Sequence, residues 1–423
     1  MTQSIGKATV EQLDQIYQTA IETLREAMRA YARDGSVPPP EARGDRRFCY
    51  PELRITYRRD SDVPPLGRSF ARLSKPGRYV TTITRPAMFA DYLAEQIDLL
   101  VRDYGVDVDV GASDQQIPFP YVLDGLDISA LDGTPPTELA RYFPATELAE
   151  IGDEIADGLF IPDLAGDRPL ALFDGLRTDF SLARLKHYTG TPAEHVQRYI
   201  LFTNYHRYVD EFVALGRDLM SGDGGDGYVR FVEPGDIVQQ LGQAEPDDAA
   251  RPRALPQMPA YHLVRDDGLG VTLVNIGVGP SNAKTMTDHL AVLRPHCWLM
   301  VGHCGGLRRS QQLGDYVLAH AYVRDDHVLD HDLPPWVPVP PIAEIQVALE
   351  QAVIVETTHD RFLSIQLRRQ RNAEVTEGVT DSLKRNNISA IVFELNNIGP
   401  HISTTDPVSA FAAIHMAITI TVK

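Results

Sequence analysis

The sequence predicts an α/β protein of two domains, and three observations carry that expectation. At 423 residues the chain is longer than one ordinary core supports. Helical and strand-like apolar periods follow one another along it. A glycine- and proline-punctuated stretch separates a mixed first half from a strand, turn, helix, strand grammar in the second.

The first helix is marked by Thr9 and Gln12 in a capping-box pattern, and by Val10, Leu13, Ile16, Tyr17, Ile21, Leu24 and Met28 at helical spacing. Gly35 ends it. After the Pro-rich Val37–Pro40, the run Phe48–Tyr57 reads as a strand, and a second helix is expected from Thr84 and Pro86 to about Val101, closed by Gly105. At Thr191 an N-cap, Pro192 at N1 and Glu194 at N3 announce a helix. The aromatic and aliphatic positions that follow extend it to Gly216. Residues 1–220 are thus expected as the first domain with its connecting helix, and residues 221–259 as a linker or flexible loop opened by Ser221–Gly227. Asp223 and Asp226 lack the ligand spacing of a calcium loop.

From residue 260 to 351 a second domain is expected. Val271–Ile276 is a buried strand and Gly277–Ser281 its exit turn. Ser281 is expected to cap a helix reaching Leu293, ended by Arg294 and Pro295. Cys297–Val301 is the next strand and Gly302–Gly306 its exit loop. Two strands joined by a helix imply a parallel sheet, with both glycine segments at the carboxyl ends of adjacent strands, where open α/β sheets hold ligands. Bare backbone there admits an anion to N–H groups. The candidate binding residues are therefore Gly277, Gly279, Ser281, Gly302, His303, Cys304, Gly305 and Gly306.

Composition narrows the function. The net charge of −18 argues against a nucleic-acid surface. Three cysteines without CxxC spacing suit a reducing compartment and give no disulfide framework. The first thirty residues carry no apolar signal core, and no apolar run approaches the roughly 20 residues that span a bilayer, so the expectation is a cytoplasmic protein without membrane contact. Two motifs come close and fail. A P-loop would need glycine where Ala283 precedes Lys284-Thr285. A nucleophile elbow would need a second glycine where Gly279-Pro280-Ser281-Asn282-Ala283 ends, and Pro280 suits an anion-binding turn better than that strained elbow.

The segments Leu273–Arg308 and Leu313–Asp330 resemble the catalytic domain of bacterial AMP nucleosidases. Phe173–Val213, Pro51–Tyr57 and Thr81–Val106 resemble that family's N-terminal region, so the likeness covers about residues 8 to 350. It implies a nucleoside-phosphorylase-like mixed sheet flanked by helices, preceded by a separate α/β N-terminal domain. It also implies a homohexamer that hydrolyses AMP to adenine and ribose 5-phosphate, with ATP as activator, phosphate as inhibitor and no redox cofactor or metal. In related phosphorylases a loop like Val301–Gly306 contacts phosphate and nucleoside, and His303 stands at the phosphate-contacting serine.

The implied chemistry develops positive charge on the ribose, needs an acid for the leaving adenine, and needs cationic donors for the 5′-phosphate. Candidates for the phosphate are Arg177, Lys186, His206 and Arg207, with His187 beside them. His327 and His331 lie four apart among carboxylates, but the family uses no metal. Cys304 lacks an adjacent base and reads as a packing residue. Past about Gln351 the resemblance stops, and residues 352–423 form a divergent, asparagine-richer segment without the family's ribose-binding and purine-protonating motifs. Glu394 and Asp406 are the weak catalytic candidates there, against their reading as a strand-end and a loop carboxylate. Two alternatives stay open: a nucleotide-binding homologue with impaired catalysis, and a purine nucleoside phosphorylase-like enzyme.

Overall fold

The computed structural model describes residues 3–39, 46–58, 70–123, 134–161, 163, 166–222, 227–247, 251–303, 305–306, 309–310, 317–323, 334, 336–358, 390–391 and 401–403. The chain divides into two compact units, Met1–Ala183 and Arg184–Lys423. The class is α/β in both, as the sequence predicts.

The first unit is built on a four-stranded sheet of order β3-β1-β2-β4, where β1 is Cys49–Tyr57, β2 Gly77–Thr82, β3 Asp107–Gln116 and β4 Arg168–Pro169. Helix α1 (Ile5–Asp34) starts one turn before the expected capping box. Ser4 takes the cap, accepting from the Lys7 N–H, and Thr9 instead donates its hydroxyl to the Ile5 carbonyl at 2.8 Å. Gly35 ends α1 in the left-handed region, at φ 75°. Helix α2 (Ala90–Tyr104) follows a 3-10 turn at Pro86–Phe89 and ends at Gly105. Leu13 of α1, Ile97 and Leu100 of α2, and Leu53 and Ile55 of β1 share one core cluster. A short helix α3 (Pro136–Tyr142) and the longer α4 (Gly175–Thr189) follow.

On the inner face of α4 a carboxyl group is buried. Asp179 is fully enclosed, accepting from Tyr50 Oη at 2.7 Å and Thr84 Oγ1 at 2.9 Å, with Arg85 Nε at 3.6 Å. Burial outweighs these partners and raises its pKa to about 6.

The second unit carries an eight-stranded mixed sheet of order β12-β14-β10-β5-β9-β8-β6-β7. Its strands are β5 Tyr199–Thr203, β6 Arg230–Glu233, β7 Ile237–Gln240, β8 Ala260–Val264, β9 Val271–Asn275, β10 Cys297–Gly302, β12 Val317–Leu318 and β14 His401–Ser403. Strands β14, β10, β5 and β9 run parallel, and β6, β7, β8 and β12 are antiparallel to their neighbours. Two further two-residue strands, β11 (Gly305–Gly306) and β13 (Ala390–Ile391), pair only with each other.

Three expectations are corrected here. The single helix from Thr191 to Gly216 is a 3-10 turn at Ala193–His195, then β5, then helix α5 (His206–Ser221). All five residues of β5 are buried. A strand covered on both faces reads as a continuous apolar run, which periodicity does not separate from a buried helix. This hidden strand also lies between β9 and β10, so the two glycine segments leave strands that flank a common neighbour and are not themselves adjacent. Third, residues 230–240 inside the expected linker form the β6–β7 hairpin. Phe231 and Val232 are fully buried, and the hairpin turns at Gly235 and Asp236 with positive φ. Gly216 of α5 admits the Phe231 ring, since a Cβ there would lie 2.5 Å from it.

The β8–β9 pairing depends on another glycine. A Cβ on Gly270 would stand 2.1 Å from the Leu263 carbonyl oxygen and 2.6 Å from Gln197 Oε1. Gly270→Ala is expected to destabilise the protein by about 1–3 kcal/mol in denaturant unfolding. An unchanged midpoint would mean that the strand yields without cost.

At the centre of this sheet, His262 of β8 is fully buried. Its Nε2 bonds Thr191 Oγ1 at 2.8 Å and its Nδ1 bonds Thr272 Oγ1 at 2.9 Å. Burial, with His195 nearby, lowers its pKa to about 3, so the ring is neutral and structural.

Candidate active site

The carboxyl edge of β9, β5 and β10 gathers the chemistry of the second unit. Registers Thr203↔Asn275 and Met300↔Phe202 put the exits of the three strands side by side. After β9, the Gly277 N–H donates to Asn275 Oδ1 at 3.2 Å, and Gly277 turns at φ 65°. One amide expected to face a ligand is thus taken by the chain's own side chain. Gly279 at φ 113°, not Ser281, is the N-cap of helix α6 (Pro280–Leu290), with Pro280 as first helical residue. No heavy atom stands within 4 Å of a Cβ built on Gly279, and Ser281 is exposed. The turn therefore leaves open space above the sheet edge.

After β5 the chain turns through Thr203, whose Oγ1 accepts from the Tyr205 N–H at 3.2 Å, and enters α5. The first two residues of α5 are His206 and Arg207, both exposed. Arg207 makes no hydrogen bond or ion pair among the described residues. The first turn of a helix carries N–H groups without intrahelical acceptors and a positive end of the dipole. A guanidinium at that point adds a forked donor. Helix starts of this kind are general anion-binding positions.

At the end of β10, Gly302 is buried, and the ring of the next residue, His303, lies 4.4 Å from the Tyr205 ring and 5.5 Å from that of Tyr208. Burial first, and the Arg207 charge second, hold the His303 pKa below its ordinary value, so the imidazole is neutral near neutrality. Its Nε2 is screened from solvent with no hydrogen-bond partner. The same is true of both side-chain polar atoms of Asn204, Nδ2 and Oδ1. An unsatisfied buried polar group costs about 1–3 kcal/mol. Three such atoms gather at one sheet edge, where a water or a ligand would satisfy them.

The other expected residues are placed as follows. His206 and Arg207 join the glycine turns at this edge. Arg177 belongs to the first unit, where it is buried, donates Nε to Asp153 at 2.6 Å, bonds Ser181 and lies over the Phe173 ring. Lys186 and His187 are exposed in the last turn of α4, with the His187 ring against Tyr188. Gly305 and Gly306 are described only as backbone in β11. Cys304, His327, His331, Glu394 and Asp406 lie outside the described residues, as does most of 352–423. The first unit has a cavity of about 400 Å³ bordered by Glu52, Asp114, Asp167 and Asp174 against one Arg168, a lining that repels phosphate.

Reading the sequence alone missed Asn204, Tyr205 and Tyr208 as site residues, because the expected helix ran straight through them. The signal was the change from the β-branched and aromatic run YILFT to the turn former Asn204.

Residues 257–380, which carry the glycine turns at the carboxyl edge of the sheet, match the Phosphorylase superfamily, and that is the class of enzyme this unit resembles. Residues 8–166 match the family described as Bacterial AMP nucleoside phosphorylase N-terminus. Over 345 residues the chain is 52% identical to the AMP nucleosidase of Escherichia coli (strain K12), covering 81% of this chain and 70% of that protein. The AMP nucleosidase of Escherichia coli O157:H7 matches with the same identity and coverage. The chain belongs to the AMP nucleosidase family. Among solved structures, an AMP nucleosidase from Bacteroides thetaiotaomicron aligns at TM-score 0.41 and 22% identity, over 57% of this chain and 96% of that one.

Proposed function

We propose that this protein hydrolyses the N-glycosidic bond of AMP, releasing adenine and ribose 5-phosphate. The observation that supports this reading best is the Arg207 guanidinium at the start of α5, beside neutral His303 and the two glycine turns. The first turn of α5 takes the 5′-phosphate, and the sheet edge beside it takes the nucleoside. Cleavage breaks C1′–N9, leaves the electron pair on adenine and adds water at C1′. The ribose carries positive charge on the way, and the adenine leaves with a proton.

The test is adenine release from AMP by the purified protein, followed with and without ATP and phosphate. Release without added phosphate, stimulated by ATP and inhibited by phosphate, is expected. Release only with added phosphate makes the protein a phosphorylase. AMP binding without adenine makes it a non-hydrolytic homologue. The same reading carries a homohexamer in the cytoplasm, without redox cofactor or metal, and light scattering of the purified protein tests the subunit number.

No helix among the described residues is long and apolar enough to cross a membrane.

A further inference from the structure

We propose that Asn204 is the residue that recognises the ribose, its carboxamide engaging the sugar's cis-diol, with Nδ2 donating to one hydroxyl and Oδ1 accepting from the other. This rests on the nucleotide assignment above and extends it to a residue and a part of the substrate.

The argument starts from hydrogen-bond capacity. A carboxamide offers donors on one atom and an acceptor on the next. In Asn204 both atoms are buried and neither has a partner. A phosphate at this position satisfies only Nδ2, because its oxygens accept and do not donate, and Oδ1 remains unpaired. The partner therefore presents a donor and an acceptor side by side. Within AMP two groups do so: the ribose diol and the adenine edge that carries N6.

Position decides between them. Asn204 lies two residues before His206 and three before Arg207, immediately ahead of the helix start that offers phosphate its N–H groups and its cation. The ribose is bonded to that phosphate, whereas the adenine edge is at the far end of the nucleotide. Continuing the sheet registers sets Asn204 beside Gly302 on one side and beside Ile276 on the other. The Ile276 N–H bonds the Thr203 carbonyl at 2.9 Å, which fixes this neighbourhood. The backbone of Asn204 thus stands between the two glycine exits, where a sugar meets few side chains. The second orphan, His303 Nε2, belongs to the same edge and is held by the Tyr205 ring.

The experiment compares AMP with 2′-deoxy-AMP in the wild-type protein, Asn204→Ala and Asn204→Asp, reading kcat/KM for adenine release and the binding of each nucleotide by calorimetry. Wild-type protein is expected to favour AMP, and Asn204→Ala to lower that preference about tenfold, because the variant loses two hydrogen bonds with AMP and only the 3′-hydroxyl bond with 2′-deoxy-AMP. Asn204→Asp keeps the shape and the acceptor and loses the donor, so it is expected to fall between the two. It also serves if the alanine variant does not fold. An unchanged preference in a folded variant overturns the assignment. So does an equal loss with both nucleotides, which marks a structural role, and so does a lost preference for AMP over inosine 5′-monophosphate with the ribose preference intact, which marks a base reader. Normal wild-type adenine release alongside any of these leaves the nucleotide assignment standing. A wild-type protein that neither binds nor cleaves AMP removes both.

Discussion

Replacing Arg207 by alanine is expected to lower kcat/KM for AMP by roughly 10- to 100-fold, the scale of a lost hydrogen bond to a charged group. Arg207 is exposed at the first turn of α5, so its removal leaves the core intact and the folded state close to its original stability. The effect belongs to the phosphate. Adenosine, which lacks it, is expected to be processed or bound equally by the variant and the original protein. Arg207→Lys is expected to recover part of the loss, because a point charge remains while the planar fork does not. Raising the salt concentration narrows the gap between the two proteins, as it does for any exposed ion pair. A variant that loses AMP and adenosine to the same degree would place the phosphate elsewhere. The His303 pH profile offers a second readout. The Arg207 charge is one of two causes holding that imidazole down, so its removal is expected to move the His303 titration upward.

How far the sequence reveals this site depends on where each residue sits. The turns after β9 and β10 are legible because glycines at 277, 279, 302, 305 and 306 are punctuation that few other roles explain. Helix ends were also readable: Gly35 and Gly105 both close helices in the left-handed region. The strand between the two turns was hidden. Tyr199–Thr203 is buried throughout, so it has none of the polar alternation that announces a strand. Losing β5 removed the sheet's middle, and with it Asn204 and the aromatic pair Tyr205 and Tyr208. The β6–β7 hairpin escaped for the opposite reason. Its flanks are rich in Gly, Asp and Pro, and its buried residues include the polar Glu233 and Gln239 beside Phe231 and Val232. Arg177 shows a limit of residue type alone. It is an arginine in a matched segment, yet its donors are spent on Asp153 and Ser181 inside the first unit.

Acid is expected to act on the two units in opposite directions, through one buried group in each. His262 has a folded-state pKa of about 3, below the 6.5 of an exposed imidazole. Above pH 6.5 the ring is neutral folded or unfolded, and its contribution is fully present. As pH falls toward 3 the unfolded chain takes up a proton that the folded sheet refuses, and up to about 5 kcal/mol of stability is lost. Asp179 behaves in the reverse sense. Its folded-state pKa of about 6 lies above the 3.8 of an exposed carboxylate, so its contribution is fully present below 3.8 and is lost as pH rises through 6, by up to about 3 kcal/mol. The difference between each variant and the original protein isolates these groups from all other titrations. Denaturant unfolding of His262→Gln, measured from pH 7 to pH 4, is expected to show a smaller acid loss than the original. Asp179→Asn over the same range is expected to lose the gain that acidification brings to the first unit. The hydroxyls of Thr191 and Thr272 hold the imidazole on both sides, so a neutral amide is the closest replacement the sheet accepts. If His262→Gln keeps the full acid slope, the histidine is not the group that makes the central sheet acid-sensitive.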